Sequence, residues 1–191
     1  QIDYGIFYGK SARSGQDVPN VTSINQTTNR ATLGAGELAD ELLAGYDLAI
    51  AGNENADPNA FAFDTTYRTR LARMIQSSNT VGATIPAIPN LTGGADTIAV
   101  LPAAYGRTVS GRVGTQTATN TKGFVGDWTR GLSWGYGSSI ELKRSDQATI
   151  VDGNGKTWHL FQDNMIAYLI EFTAGWAVDP TMFAAYDEAE G

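Results

Sequence analysis

Along the first third of the chain, Leu38, Leu42, Tyr46 and Ala49 recur at helical spacing, with Glu37, Asp40, Glu41 and Asp47 mostly opposite. That pattern predicts an amphipathic helix over about residues 36–50, and Gly52-Asn53 ends it. Asp57-Pro58-Asn59 marks a turn, and Ala60-Phe61-Ala62-Phe63 reads as a short strand. Asp64 or Thr65 then caps a second helix to about residue 77, with Tyr67, Leu71 and Met74 or Ile75 facing inward. From 79 to 121, Pro86, Pro89, Gly93-Gly94 and Pro102 cut the chain into short β segments. Residues 97–101 and 107–113 are the better strand candidates.

The two ends differ in character. Ile2-Asp3-Tyr4-Gly5-Ile6-Phe7-Tyr8 is a short apolar opening, and the Gly, Ser, Asn and Thr-rich stretch over 9–34 reads as a long surface loop with at most short strands. The last third is β-rich. Gly123-Phe124-Val125-Gly126-Asp127-Trp128 looks like a buried strand meeting a turn, and 139–143 and 148–151 alternate as strands do. Asp152-Gly153-Asn154-Gly155 is a hairpin signal, 157–161 returns from it, and 165–178 reads as one long apolar strand stopped by Asp179-Pro180. No repeat runs through the chain. The fold class these elements predict is α+β.

Composition narrows the function. With 191 residues, 42% apolar and 17% charged, the chain is globular and fits one domain or two small interdependent ones. No run approaches the roughly 20 apolar residues that span a bilayer, so no membrane partner is expected. Having no cysteine excludes disulfides, a thiolate nucleophile and Cys-ligated metal. His159 stands alone, which excludes multi-histidine metal sites. The net charge of −7 disfavours a specific nucleic-acid partner, because phosphate neutralisation needs clustered Lys and Arg.

The near-motifs fail on spacing. Gly5-Ile6-Phe7-Tyr8-Gly9-Lys10-Ser11 resembles a phosphate loop but is one residue short between its glycines. Asp152 opens something like a calcium loop, yet Lys156 stands at a ligand position. No Gly-x-Ser-x-Gly elbow accompanies His159. Arg68, Arg70 and Arg73 form either a basic helix face for a phosphate or partner, or a solvated face opposite Tyr67 and Leu71. Trp128, Trp134 and Tyr136 make either a sugar-stacking platform or packing for a core or subunit interface. These residues offer no catalytic apparatus, so an enzyme is not expected and neither is a cofactor. Binding and building remain.

From 123 onward the order of features becomes specific. Gly123–Trp128 is followed by Ser139-Ile140-Glu141-Leu142, then Phe161-Gln162-Asp163-Asn164 before a long strand, then Asp179-Pro180-Thr181-Met182-Phe183. This order resembles the C-terminal part of the tailed-bacteriophage major capsid proteins, the Hong Kong 97 fold. Members commonly show a "GDW"-like strand, an acidic β arm, an "F-x-x-N" segment and a closing "D-P-x-x-F". The resemblance implies an axial domain over 30–139, with 180–191 returning to it. It also implies a peripheral remnant over 1–29 and 140–179. The N-terminal arm, extended loop and spine helix of complete members have no counterpart here, and Gln1 is expected to be an internal start.

The implied function is that of a structural subunit of an icosahedral phage or prophage capsid. Its copies would self-assemble into pentamers and hexamers that enclose DNA, in the virion and, during assembly, in the host cytoplasm. Scaffold, portal or decoration proteins are further implied partners. In a ring of copies, Arg68, Arg70 and Arg73 would face Asp40, Glu41 or Asp47 of the next subunit. Asn164 and Glu171 match by position the asparagine and glutamate that serve lysine crosslinking in some members. On one continuous strand they would point to opposite faces, and crosslinking by this chain is not expected. The alternatives are an encapsulin-type nanocompartment shell protein, and a carbohydrate- or ligand-binding β module.

Overall fold

The structure, a computed structural model, describes residues 2–77, 97–98, 101–137, 141–171 and 173–189. The chain divides into two compact units, residues 1–133 with 176–191 and residues 134–175.

The larger unit is built on a six-stranded mixed sheet. Its strands are β1 (Arg30–Leu33), β2 (Ala60–Phe63), β3 (Thr97–Ile98), β4 (Leu101–Tyr105), β5 (Thr121–Gly126) and β12 (Phe183–Glu188), in the order β1-β12-β5-β2-β4-β3. β1 runs parallel to β12 and β2 parallel to β4, while β5 lies antiparallel between β12 and β2. The chain's last strand therefore sits second from the edge, beside one of its first. The period-two alternation of side chains sorts the sheet into two faces. On one, Leu33, Phe61, Phe63, Val125 and Tyr186 pack against α2 (Leu38–Gly52) and α3 (Thr65–Ser77), through Leu42, Ala49, Tyr67 and Leu71. On the other, Ala62, Phe124, Phe183 and Ala185 meet Ile24, Val109 and the partly buried Ile6 and Phe7 of α1 (Ile2–Tyr8). Each fully buried Phe contributes roughly 1.5–3 kcal/mol.

Both long helices form where the apolar spacing placed them. α2 has no side-chain cap of its own. Instead the Glu41 carboxylate reaches back to accept the N–H groups of Gly34 (2.8 Å) and Gly36 (2.6 Å). Asp64 caps α3 by accepting the Thr66 N–H at 2.8 Å and its hydroxyl at 2.7 Å. Met74, Ile75 and 79–96, on which sequence expectations also fell, lie outside the described side chains and residues.

Several expectations change. The opening apolar run is a helix, because Tyr4 and Tyr8 bury one turn apart and Phe7 stacks on Phe124 at 5.3 Å. The stretch 9–34 holds the short strand β1 that its reading allowed, but it is not all surface, since Ser23, Ile24 and Thr27 are buried. Residues 107–113 are no strand. Arg107–Ser110 is a 3-10 turn that ends at Gly111 with a positive φ of 83°. Its Thr-Val pair mimicked strand alternation, and the left-handed glycine decided otherwise. Residues 2–29 belong to the larger compact unit, where α1 packs on the sheet.

The smaller unit contains two-stranded ribbons. β7 (Glu141–Ser145) pairs antiparallel with β10 (Ala167–Glu171), and β8 (Thr149–Val151) with β9 (Thr157–His159) across the expected Asp152–Gly155 hairpin. Strand β6 (Leu132–Tyr136), unforeseen in sequence, pairs with β11 (Ala174–Val178) and leads the chain out of the larger unit. The single strand expected over 165–178 is thus two strands with different partners, β10 and β11.

Candidate subunit interfaces

The corner after β5 is held by one buried carboxylate. Asp127 Oδ1 accepts the N–H groups of Thr129 (3.0 Å) and Arg130 (2.9 Å) and the Asn59 amide (3.3 Å), and Oδ2 accepts the Asp57 N–H at 3.3 Å. Burial alone would push this carboxyl up, but those N–H donors and the Arg130 charge hold it below its ordinary value. Asp64 behaves alike. Burial opposes its charge, and hydrogen bonds from Ser110 (2.5 Å) and Thr66, with the Arg112 charge, outweigh burial and lower its pKa. Neither residue stood out in sequence as more than a cap or a motif letter. Both carboxylates are already engaged within the chain and act as pins. Trp128, the next residue, donates from Nε1 to Ala60 O at 2.9 Å and packs edge-on to Phe183 at 5.1 Å. It is packing, not an open stacking surface. Trp134 and Tyr136 remain exposed, ring to ring at 5.5 Å.

The candidate charged residues fall at separate places. Arg70 bonds Glu188 at 2.8 Å and the Tyr67 hydroxyl at 2.7 Å within its own chain. Arg68 lies over the Tyr105 ring, 5.7 Å from its centre. Arg73 belongs to α3, but its side chain lies outside those described. Glu41, in the first turn of α2, is half-buried with its carboxylate on the Gly34–Gly36 loop, whereas Asp40 and Asp47 are exposed. Among the described side chains, Arg68 and Arg70 are not brought together with Asp40, Glu41 or Asp47 within one chain.

In the smaller unit, register sorts the β7/β10 ribbon into two faces. Leu142, Arg144, Tyr168 and Ile170 share one, with Ile170 directly opposite Leu142 and Tyr168 opposite Arg144. Leu142 and Ile170 are each 63% exposed and Tyr168 61%. On the other face Lys143 bridges Glu141 and Glu171, and its hydrogen bond to Glu171 is the main reason the ammonium pKa is raised. Phe161 is 79% exposed in the turn before β10. Asn164 sits in that turn at φ 51°, not on the strand, so the face argument made for Asn164 and Glu171 on one continuous strand does not apply.

Chemistry is sparse. His159 is exposed, with Nδ1 3.2 Å from the Thr149 hydroxyl. The Asp152 carboxylate accepts N–H groups of Asn154, Lys156 and the Trp158 ring, closing the hairpin where a calcium loop was considered. Among the described residues no three His, Asp or Glu cluster to hold a metal, and no helix is long and apolar enough to cross a membrane. A cavity of about 280 Å³ on the α1 face of the sheet is lined by Phe7, Ala62, Ala104, Val109 and Trp128, with Asp3 and Thr108 its polar wall. It lacks the convergent polar groups that orient a ligand.

No protein-family model and no curated protein matches the chain. Solved structures do. One from Gordonia phage Cozz is 27% identical with a TM-score of 0.75, covering 100% of this chain and 59% of its own. One from Mycobacterium phage Ogopogo is 24% identical with a TM-score of 0.74, covering 98% of this chain and 63% of its own. The capsid of an empty GTA particle, computed with C5 symmetry, is 12% identical with a TM-score of 0.56, covering 98% and 60%. The chain thus spans about three fifths of these structures' length.

Proposed function

We propose that this chain, which has the phage major capsid fold, is a structural subunit of an icosahedral phage or prophage shell. The observation that carries the reading is the β7/β10 ribbon. An isolated two-stranded ribbon is marginal in water, yet this one presents Leu142, Tyr168 and Ile170 on one uncovered face. Such a face calls for a partner, and in a chain of this fold the partner is another copy. The sheet unit gathers around five-fold and quasi-six-fold centres, and the ribbons join neighbouring capsomers. The shell encloses DNA after assembly in the host cytoplasm, and scaffold, portal or decoration proteins are its further partners. The acidic balance of −7 limits adhesion of packaged DNA to the wall. The role is structural, not enzymatic.

Sedimentation velocity of the protein expressed from its complete reading frame tests this. Fast, discrete particles are expected, and a strictly monomeric chain under assembly conditions counts against it. An encapsulin-type shell would sediment alike but enclose protein instead of DNA. The exposed Trp134–Tyr136 pair favours one other reading, a glycan-binding module. Absence of glycan-induced tryptophan quenching retires it.

A further inference from the structure

α2 and α3 differ in sign. Over Leu38–Gly52 the chain carries Asp40, Glu41 and Asp47 and no base; over Thr65–Ser77 it carries Arg68, Arg70 and Arg73 and no acid. With Leu42, Gly45 and Ala49 buried against the sheet, the opposite side of α2 is a stripe at helical spacing, Asp40, Leu43, Asp47 and Ile50. Leu43 is 49% exposed and Ile50 42%, flanked by the small exposed Ala44 and Ala51. Two large apolar side chains one heptad apart, framed by carboxylates, form a seam that a basic helix face fits.

The two helices also lie toward opposite ends of one sheet face. α2 packs on β1 and β12 at one edge. α3 lays Tyr67 on Phe63 of β2 and Arg68 over Tyr105 of β4, toward the other edge. Pairing α2 with its own copy across a two-fold axis would set like charges against each other, which costs affinity. Pairing α2 of one copy with α3 of the next leaves a second α2 and a second α3 unused. That is a head-to-tail contact able to close a ring.

We propose that the α2 stripe of one copy docks on the α3 basic face of the next, with Asp40 and Asp47 meeting Arg68 while Leu43 and Ile50 pack on the methyls of Thr65 and Thr69 and on the arginine stems. This rests on the shell-subunit reading and names the partner surface within the capsomer. Arg70 stays on Glu188 and supports the face from behind.

Charge swaps test the contact in the protein expressed from its complete reading frame. Asp40→Lys/Asp47→Lys and, separately, Arg68→Glu are each expected to lower the yield of assembled particles at least tenfold. Far-UV circular dichroism should stay near that of the parent throughout; the urea midpoint should do so for the Asp40/Asp47 pair, both exposed, while Arg68→Glu also gives up its place over the Tyr105 ring. Combining the swaps in one chain restores opposite charges in every α2–α3 contact and should recover most of the yield. If the separate swaps assemble like the parent, or the combined chain assembles no better than either, the contact is wrong and the shell reading stands. If the parent itself never assembles, the shell reading falls with it.

Discussion

Gly45 is where the packing of α2 on the sheet can be tested most sharply. The Tyr186 ring lies directly against it, fully buried, its hydroxyl donating to Leu42 O at 2.6 Å and its ring 5.3 Å from that of Phe63. A methyl at position 45 would fall inside 3.0 Å of the Tyr186 Cε1, Cζ and hydroxyl atoms, an approach that real Cβ atoms essentially never make. The ring cannot swing away without losing that hydrogen bond and its aromatic neighbours. Over-packing of this kind costs up to about 3 kcal/mol. Alanine's better helix propensity returns about 1 kcal/mol. Gly45→Ala should therefore destabilise by about 2 kcal/mol, a fall in Tm of about 4–8 °C for a chain of this size. Urea unfolding followed by tryptophan fluorescence measures it. In a Tyr186→Leu background the obstructing ring is gone, and Gly45→Ala should become neutral or stabilising. An equal cost in both backgrounds would refute the contact, as would a stabilised single variant.

The buried carboxylates set an acid limit. Asp64 and Asp127 titrate below the ordinary Asp value of about 3.9 when folded, so their contribution is complete above that value and is lost as pH falls through their folded pKa values. The urea midpoint should drop below about pH 4. Asp127→Asn should flatten that drop and cost about 1–3 kcal/mol at pH 7, because its amide would face the Asp57 N–H. Leu142→Ser/Ile170→Ser removes a cross-strand apolar pair that is 63% exposed at both positions. It should change the unfolding free energy from urea titration by no more than about 0.5 kcal/mol while reducing particle yield in sedimentation. A large loss of stability in the isolated chain would show instead that the ribbon's apolar face is already covered.

Both long helices were legible because each carries local signals: an apolar stripe in both, the Gly52-Asn53 stop for α2 and the Asp64 cap for α3. The strand at Phe61 and Phe63, the Asp152 hairpin and the Asp179-Pro180 break were legible for the same reason. What stayed hidden depended on distant partners. β1 is a strand because β12, at the far end of the chain, lies beside it. The run 165–178 is divided because its halves pair with β7 and β6, which local alternation cannot reveal. α1 hid behind two glycines, one of which, Gly5, gives room to the Trp176 ring. At the candidate interfaces the residue types were visible in sequence but not their engagement. Nothing in the string shows Arg70 already on Glu188, Glu41 already on the Gly34–Gly36 loop, or Asn164 in a turn and not on a strand.

The central claim is that copies of this chain build a closed shell. Electron cryo-microscopy of particles purified from cells expressing the complete reading frame tests it most directly. The account predicts icosahedral shells in which the six-stranded sheet unit surrounds the five-fold and quasi-six-fold axes and the β7/β10 ribbons bridge neighbouring rings. A protein that yields only monomers, or particles whose walls contain no copy of this chain, would contradict it.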